Sequence, residues 1–284
     1  MTPRRGRSPR RAAQLRWRWP LPVGRDRSTR SSAGAVLPPR QPYGVRPDAD
    51  VVWTKCQHRS APPSLPVVTD VDAPAPTRLV LVRHGESQVT VRRVVGGLRT
   101  CTGLSELGVQ QAELLAARLA ATGELAVEAL YSSSYPRAVE TAERLAPVFG
   151  TAVRVEAGFG EHDPGPECDG LSFSDFVERH GMPDWEGDPH GVTFPGGETL
   201  AAFHHRVGVT LRELLDRHRA ETVMVVCHGG VIDFMMRFAL RTPPTGVFEL
   251  HTTNASLTEL VEVTPGRWRL VRYNDSSHLA GLGA

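Results

Sequence analysis

Two stretches of this 284-residue chain follow one pattern, an apolar run that stops on a histidine and a glycine. The first is LVLVRHGE over residues 79–86 and the second is TVMVVCHGG over residues 222–230. A short continuous apolar run without polar alternation is what a parallel strand covered on both faces requires. In open α/β sheets ligands bind beyond the carboxyl ends of such strands. Arg83, His84 and His228 are therefore expected at one sheet edge. An arginine is always cationic and matches phosphate oxygens bidentately, and a neutral histidine offers a nucleophilic nitrogen near pH 7. Gly85 lets the backbone turn sharply or approach a ligand closely.

From residue 77 onward apolar runs alternate with helical patterns, as in a βαβ layered domain. Leu107, Leu114, Leu115 and Leu119 recur near helical spacing behind Ser105, a good cap. VEALYSSS reads as a strand ending in hydroxyls, and YPRAVETAERLAPVFG as a helix stopped by Gly150. TAVRVE is a third strand, residues 171–191 read as a short helix plus an irregular lid, and residues 196–219 as a long helix. Residues 230–240 read as another helix, and FELHTTNASLTELVEV and WRLVRYN as closing strands. The expected fold of residues 77–284 is a three-layer α/β/α sandwich around a mostly parallel sheet.

Residues 1–76 have a different composition. They carry 14 Lys and Arg against 5 Asp and Glu, a net +9, and 13 of the 23 prolines, which leaves the rest of the chain at −7. Without sustained apolar periodicity such a segment cannot offset the entropy of ordering, so it reads as a disordered tail. Its arginines, with Trp17 and Trp19, could contact nucleic acid electrostatically. A chain start near Val68 or a dispensable linker is the preferred reading over that role. No run reaches the roughly 18 apolar residues that span a bilayer, so no membrane association is expected. Cys56, Cys101, Cys168 and Cys227 show neither metal spacing nor a disulfide framework, which suits a reducing cytoplasm.

The ordered combination of motifs resembles the histidine phosphatase superfamily, in its phosphoglycerate-mutase-like branch. Arg83, His84, Gly85 and Glu86 match the RHGE signature, and SSYPRAVETA, with Arg137, matches a Ser-x-x-x-Arg-Ala-x-x-Thr-Ala element. His228 and Gly229 match the second His-Gly, while LSELGVQQA, PGGETL, NASLTEL and RLVRYND fit as well. The resemblance implies hydrolysis of a small phosphomonoester through a phosphohistidine on His84, with no metal and no cofactor. Arg83, Arg137 and His228 would bind the phosphoryl oxygens, and Thr90, Gly97 and Gly229 would add substrate contacts. The family's acid is a Glu after the third strand, which in GFGEHDPGPECDG points to Glu161, with Asp163, Glu167 and Asp169 as rivals because the loop is one residue longer than the pattern.

The expected partner is a small phosphorylated metabolite; the oligomeric state is not legible. One alternative is a phosphoglycerate-mutase-type isomerase. Its insertion rich in Arg, Lys and Tyr is missing, since Arg179 is the one arginine between Glu161 and Glu198, with no lysine or tyrosine. Another is a non-catalytic phospho-ligand or nucleic-acid-binding protein, which would not need an in-line nucleophile. Phe173, Phe176, Trp185 and Phe194 read as the packed interior of the lid. His162, His180, His190, His204, His205 and His218 read as mostly solvated.

Overall fold

The computed structural model describes residues 75–282 except Val192 and Val247; residues 1–74 of the basic tail, Val68 among them, lie outside the described residues. In chain order the elements are β1 (Thr77–Arg83), α1 (Gln88–Val91), α2 (Glu106–Thr122), β2 (Ala129–Ser132), α3 (Pro136–Phe149) and β3 (Val153–Val155). They continue with α4 (Gly165–Cys168), α5 (Phe173–His180), α6 (Leu200–Arg217), β4 (Thr222–Cys227), α7 (Gly229–Leu240), β5 (Leu257–Thr264) and β6 (Arg267–Asp275). The six strands form one sheet in the order β3-β2-β4-β1-β5-β6. The first four are mutually parallel, and β5 and β6 close the edge as an antiparallel hairpin.

Side chains alternate between the two faces of a strand, and the apolar runs use both. Leu79, Leu81, Val223, Val225 and Cys227 pack with Phe203, Val207 and Leu211 of α6 and Val231, Ile232 and Met235 of α7. Val80, Val82, Met224 and Val226 point the other way, onto Leu115 and Leu119 of α2 and Ala138, Ala142 and Leu145 of α3. This is the expected three-layer sandwich. Ser105 caps α2 by accepting from the Gly108 N–H, and α3 ends at Gly150, whose φ of 61° is left-handed. One strand differs from its sequence reading. Residues 248–254 are irregular and β5 starts only at Leu257, because that segment lies against the end of β1, where the Thr252 carbonyl accepts from Arg83 and Asn254 donates to the His84 carbonyl.

The hairpin is tied to α2 by charge. Fully buried Glu259 lies beside Val80 in register and pairs with Arg78 and, at 2.7 Å, with Arg272. Arg272 reaches Glu124 at 2.6 Å, and Arg118 of α2 joins Glu124 at 2.8 Å and Asp275 at 2.6 Å. Removing one member of a buried pair leaves the others uncompensated. Glu259→Gln should cost about 2–4 kcal/mol in urea denaturation, toward the lower end because Arg78 is one-third exposed and can regain water. No measurable change would show that the cluster adds nothing.

Among the described residues no helix is long and apolar enough to cross a membrane.

Candidate active site

Register brings the site together. Arg83 pairs with Cys227 at the ends of neighbouring parallel strands, so His84 and His228 emerge side by side, with ring centroids 5.1 Å apart. Ser132 of β2 pairs with Val226, which sets Ser133 beside His228 on the other side. The chain then enters α3 at Pro136, and Arg137 in its first turn reaches His84. His84, Arg137 and His228 are all buried.

Hydrogen bonds define the two imidazoles. His84 Nδ1 donates to the Gly85 carbonyl at 2.6 Å, which leaves Nε2 with its lone pair; Arg137 Nε–H points at that nitrogen from 3.1 Å. His228 Nε2 meets Ser133 Oγ at 2.7 Å, while Nδ1 has no partner among the described residues. The Tyr135 N–H approaches Ser133 Oγ at 3.4 Å, so the serine hydroxyl is held between the Tyr135 backbone and the His228 ring. Arg83 Nη1 donates to the Thr252 carbonyl, and its Nε is also buried without a partner among the described residues. Buried polar atoms of this kind call for a partner. Tyr135 packs on both His228, at 4.8 Å between centroids, and the Arg137 guanidinium, at 4.5 Å.

Burial pushes both histidines well below the usual imidazole range, and Arg137 and Arg83 add to the shift. Both rings are therefore neutral where a free histidine, near pH 6.5, starts to charge. The unfolded chain binds more protons than the folded one below that point, so stability falls as pH drops from about 7 toward 5 and is unaffected above it. The acidic limb of kcat/KM should correspondingly lie below about pH 6.5. Urea denaturation and initial rates across that range test both statements. A limb at or above the ordinary imidazole value would contradict them.

The backbone under His84 is fixed from three sides. Asn254 Nδ2 donates to the His84 carbonyl at 2.9 Å, the Ala255 N–H to the Arg83 carbonyl at 2.9 Å, and the Gly85 N–H to Thr141 Oγ1 at 3.1 Å. Ala255 holds φ at 56°, a strained value for a residue with a side chain. A Cβ on Gly85 would strike the Gly108 carbonyl, and one on Gly108 would strike that of Glu86. The RHGE and LSELG motifs thus interlock. Glu86 accepts from Ser105 Oγ at 2.7 Å and donates its N–H to Gln111 at 2.8 Å, which makes it part of that joint.

Of the candidate acids, Glu161 lies against the site. Its Oε2 accepts from the Gly230 N–H at 3.1 Å and its Oε1 from the His162 N–H at 3.0 Å. Asp169 is occupied elsewhere, by the N–H groups of Gly97 and Arg99, both at 2.9 Å, and by Thr100 Oγ1. Asp163 binds the Gly165 N–H at 2.9 Å, and Glu167 is exposed.

The remaining predicted contacts are placed less directly. Thr90 is exposed and its hydroxyl meets Ser87 Oγ at 2.9 Å. Gly97 approaches Asp169 too closely for any side chain, whereas Gly229 has room for a Cβ. The crowded position is Gly230, where a Cβ would strike Glu161 Oε1.

Sequence reasoning missed Ser133, Asn254 and Gly230, although the hydroxyl run SSSYPR and the motif NASLTEL were visible. It also misread two histidines as solvated. His162 is buried among Trp185, Phe194 and Phe203, and His218 is buried between Tyr131 and Glu221. Phe176 and Phe194 pack with Cys168, as expected of a lid interior, whereas Phe173 is half-buried and Trp185 is exposed. Among the described residues no cluster of three or more His, Cys, Asp or Glu is arranged to hold a metal ion.

The family model of the histidine phosphatase superfamily (branch 1) matches residues 79–276. A bifunctional protein of Mycobacterium tuberculosis is 34% identical over 187 residues, covering 64% of this chain and 50% of its own length. The chain thus spans about half of that relative. Phosphoserine phosphatase 1 of Hydrogenobacter thermophilus is 32% identical over 205 residues, covering 71% of this chain and 94% of its own. The solved mycobacterial glucosyl-3-phosphoglycerate phosphatase complexed with VO3 superposes with a TM-score of 0.60 at 28% identity, covering 69% of this chain and 98% of that one.

Proposed function

Because the chain belongs to the histidine phosphatase superfamily, branch 1, we propose that it hydrolyses a small phosphomonoester through a phosphohistidine on His84. The observation that carries this reading is the unprotonated Nε2 of His84, on a neutral ring anchored through Nδ1, with the Arg137 guanidinium directed at it from 3.1 Å. A phosphoryl group drawn in by Arg137, Arg83 and His228 would have its phosphorus beside that lone pair. Such transfers depend on positioning and on stabilising charge spread over the equatorial oxygens.

In the first step Nε2 attacks phosphorus, an N–P bond forms, the P–O bond to the leaving group breaks, and Glu161 gives that oxygen its proton. In the second, water attacks phosphorus, Glu161 takes the water's proton, and the N–P bond breaks to release inorganic phosphate. Splitting the reaction this way is covalent catalysis with one group serving as acid and then base. Gly229 lines the same turn, and Gly97 and Thr90 would act on substrate through the 87–100 segment.

Hydrolysis is favoured over isomerisation because Arg179, the one arginine between Glu161 and Glu198, is exposed on α5. The names of the relatives, phosphoserine phosphatase and glucosyl-3-phosphoglycerate phosphatase, favour it as well. The substrate is then a small phosphorylated metabolite. A screen of phosphorylated metabolites for phosphate release tests the reading and ranks substrates, and activity should be undiminished in EDTA. A strict divalent-metal requirement, or transfer of phosphate within one substrate without release, would overturn it.

A further inference from the structure

Arg206 of α6 lies outside the phosphoryl-binding group, yet it holds the segment that carries Glu161. Its Nε and Nη2 donate to the two oxygens of Glu198 at 3.0 and 2.8 Å. Nη1 donates to the carbonyls of Gly158 and Gly160 at 2.9 and 3.2 Å, and Nη2 to that of Glu161 at 3.3 Å. A guanidinium has five N–H donors, so none remains for a substrate. Whatever Arg206 does for the reaction, it does through the carbonyls it orients.

The surroundings are built to keep that clamp closed. The Glu161 segment follows a 3-10 turn over Ala157–Phe159. A Cβ on Gly158 would collide with Thr210, so only glycine lets this turn lie against α6 within reach of Arg206. Glu198 is bonded in turn: its carbonyl meets His162 Nε2 at 2.7 Å, and its N–H donates to the Asp163 carbonyl at 2.9 Å. The backbone on both sides of Glu161 is thereby fixed, while the N–H groups of His162 and Gly230 fix the carboxylate.

Resting on the reading of Glu161 as the acid, we propose that Arg206, anchored by Glu198, is the positioning residue that holds the Glu161 carboxylate at the leaving-group oxygen. The role depends on the planar fork and not on charge alone. Lysine keeps the charge but has three donors on a point ammonium and cannot hold three carbonyls and a carboxylate at once.

The test uses the full chain and single-turnover phosphoenzyme formation, with O-phosphoserine as the alkyl ester and p-nitrophenyl phosphate as the aryl ester. Arg206→Lys should slow the alkyl ester by roughly 10- to 100-fold, part of the full loss of acid catalysis, and the aryl ester much less. Both rates come from one preparation, so their ratio is independent of the folded fraction. Glu198→Gln, which loosens the anchor and keeps Arg206, should shift the ratio in the same direction. In a Glu161→Gln background, Arg206→Lys should leave the ratio where Glu161→Gln alone puts it. An equal loss on both esters, or a normal ratio in Arg206→Lys, would overturn the positioning role. If Glu161→Gln itself leaves the ratio unchanged, the acid reading fails, and the inference falls with it for that separate reason.

Discussion

His84→Ala should lose turnover by more than about a thousandfold and form no phosphoenzyme, because the covalent step has no second nucleophile in place. His228 is the other buried ring at the strand ends, but its Nε2 is engaged by Ser133. Its remaining nitrogen, Nδ1, is the one that would donate to the phosphoryl oxygens. Alanine removes the imidazole while Arg83, Arg137 and His228 keep their donors, so vanadate or phosphate should still bind, as measured by calorimetry. Folding is a separate question with a known sign. Burying His84 in its neutral form is costly at acid pH, so the variant should lose less stability on acidification than the parent does. Residual activity above about a thousandth of wild type would contradict the nucleophile assignment.

Glu161→Gln should separate substrates by their leaving groups. An alkoxide is a poor leaving group and needs the proton at the moment the P–O bond breaks, whereas p-nitrophenolate leaves without one. Alkyl phosphates should therefore slow by roughly 10²- to 10⁴-fold and p-nitrophenyl phosphate by much less. Single-turnover rates are required, since phosphoenzyme breakdown could limit the aryl ester and hide the contrast. The rival carboxylates serve as controls with distinct expectations. Asp169→Asn should disturb the 97–100 segment that its carboxylate holds, with no preference for one leaving group. Glu167→Gln, at an exposed position, should do little. Leaving-group dependence at Asp163, Glu167 or Asp169 instead of Glu161 would move the acid to that residue.

The parts of this account legible in the sequence are those written in local pattern. A strand buried on both faces declares itself by unbroken apolar residues, and two such strands ending in His-Gly announce where the sheet edge must be. Arg137 was legible because it opens a helix directly after a strand. What could not be read is contact between segments far apart in sequence. Gly85 excludes a side chain because of the Gly108 carbonyl, and Gly108 because of the Glu86 carbonyl, a fact that neither motif contains alone. Arg206 sits on a charged helix whose arginines look alike until the carbonyls of residues 158–161 are folded against one of them. His162 and His218 illustrate the same limit, since burial of a polar ring depends on which distant carbonyl or phenol it meets. The irregular 248–254 segment reads as a strand by its β-branched and aromatic residues, yet the need to hold the Arg83 and His84 carbonyls overrides that propensity.

The most direct test is to identify the residue that carries the phosphoryl group. Enzyme mixed with excess substrate is quenched in alkali, where a phosphohistidine survives and phosphoserine, phosphothreonine and acyl phosphates are lost or distinguishable, then digested and mapped by tandem mass spectrometry. One phosphoryl group on His84, acid-labile and formed at least as fast as the enzyme turns over, is the predicted result. A label on His228 or another side chain, or steady turnover with no label at all, would contradict it.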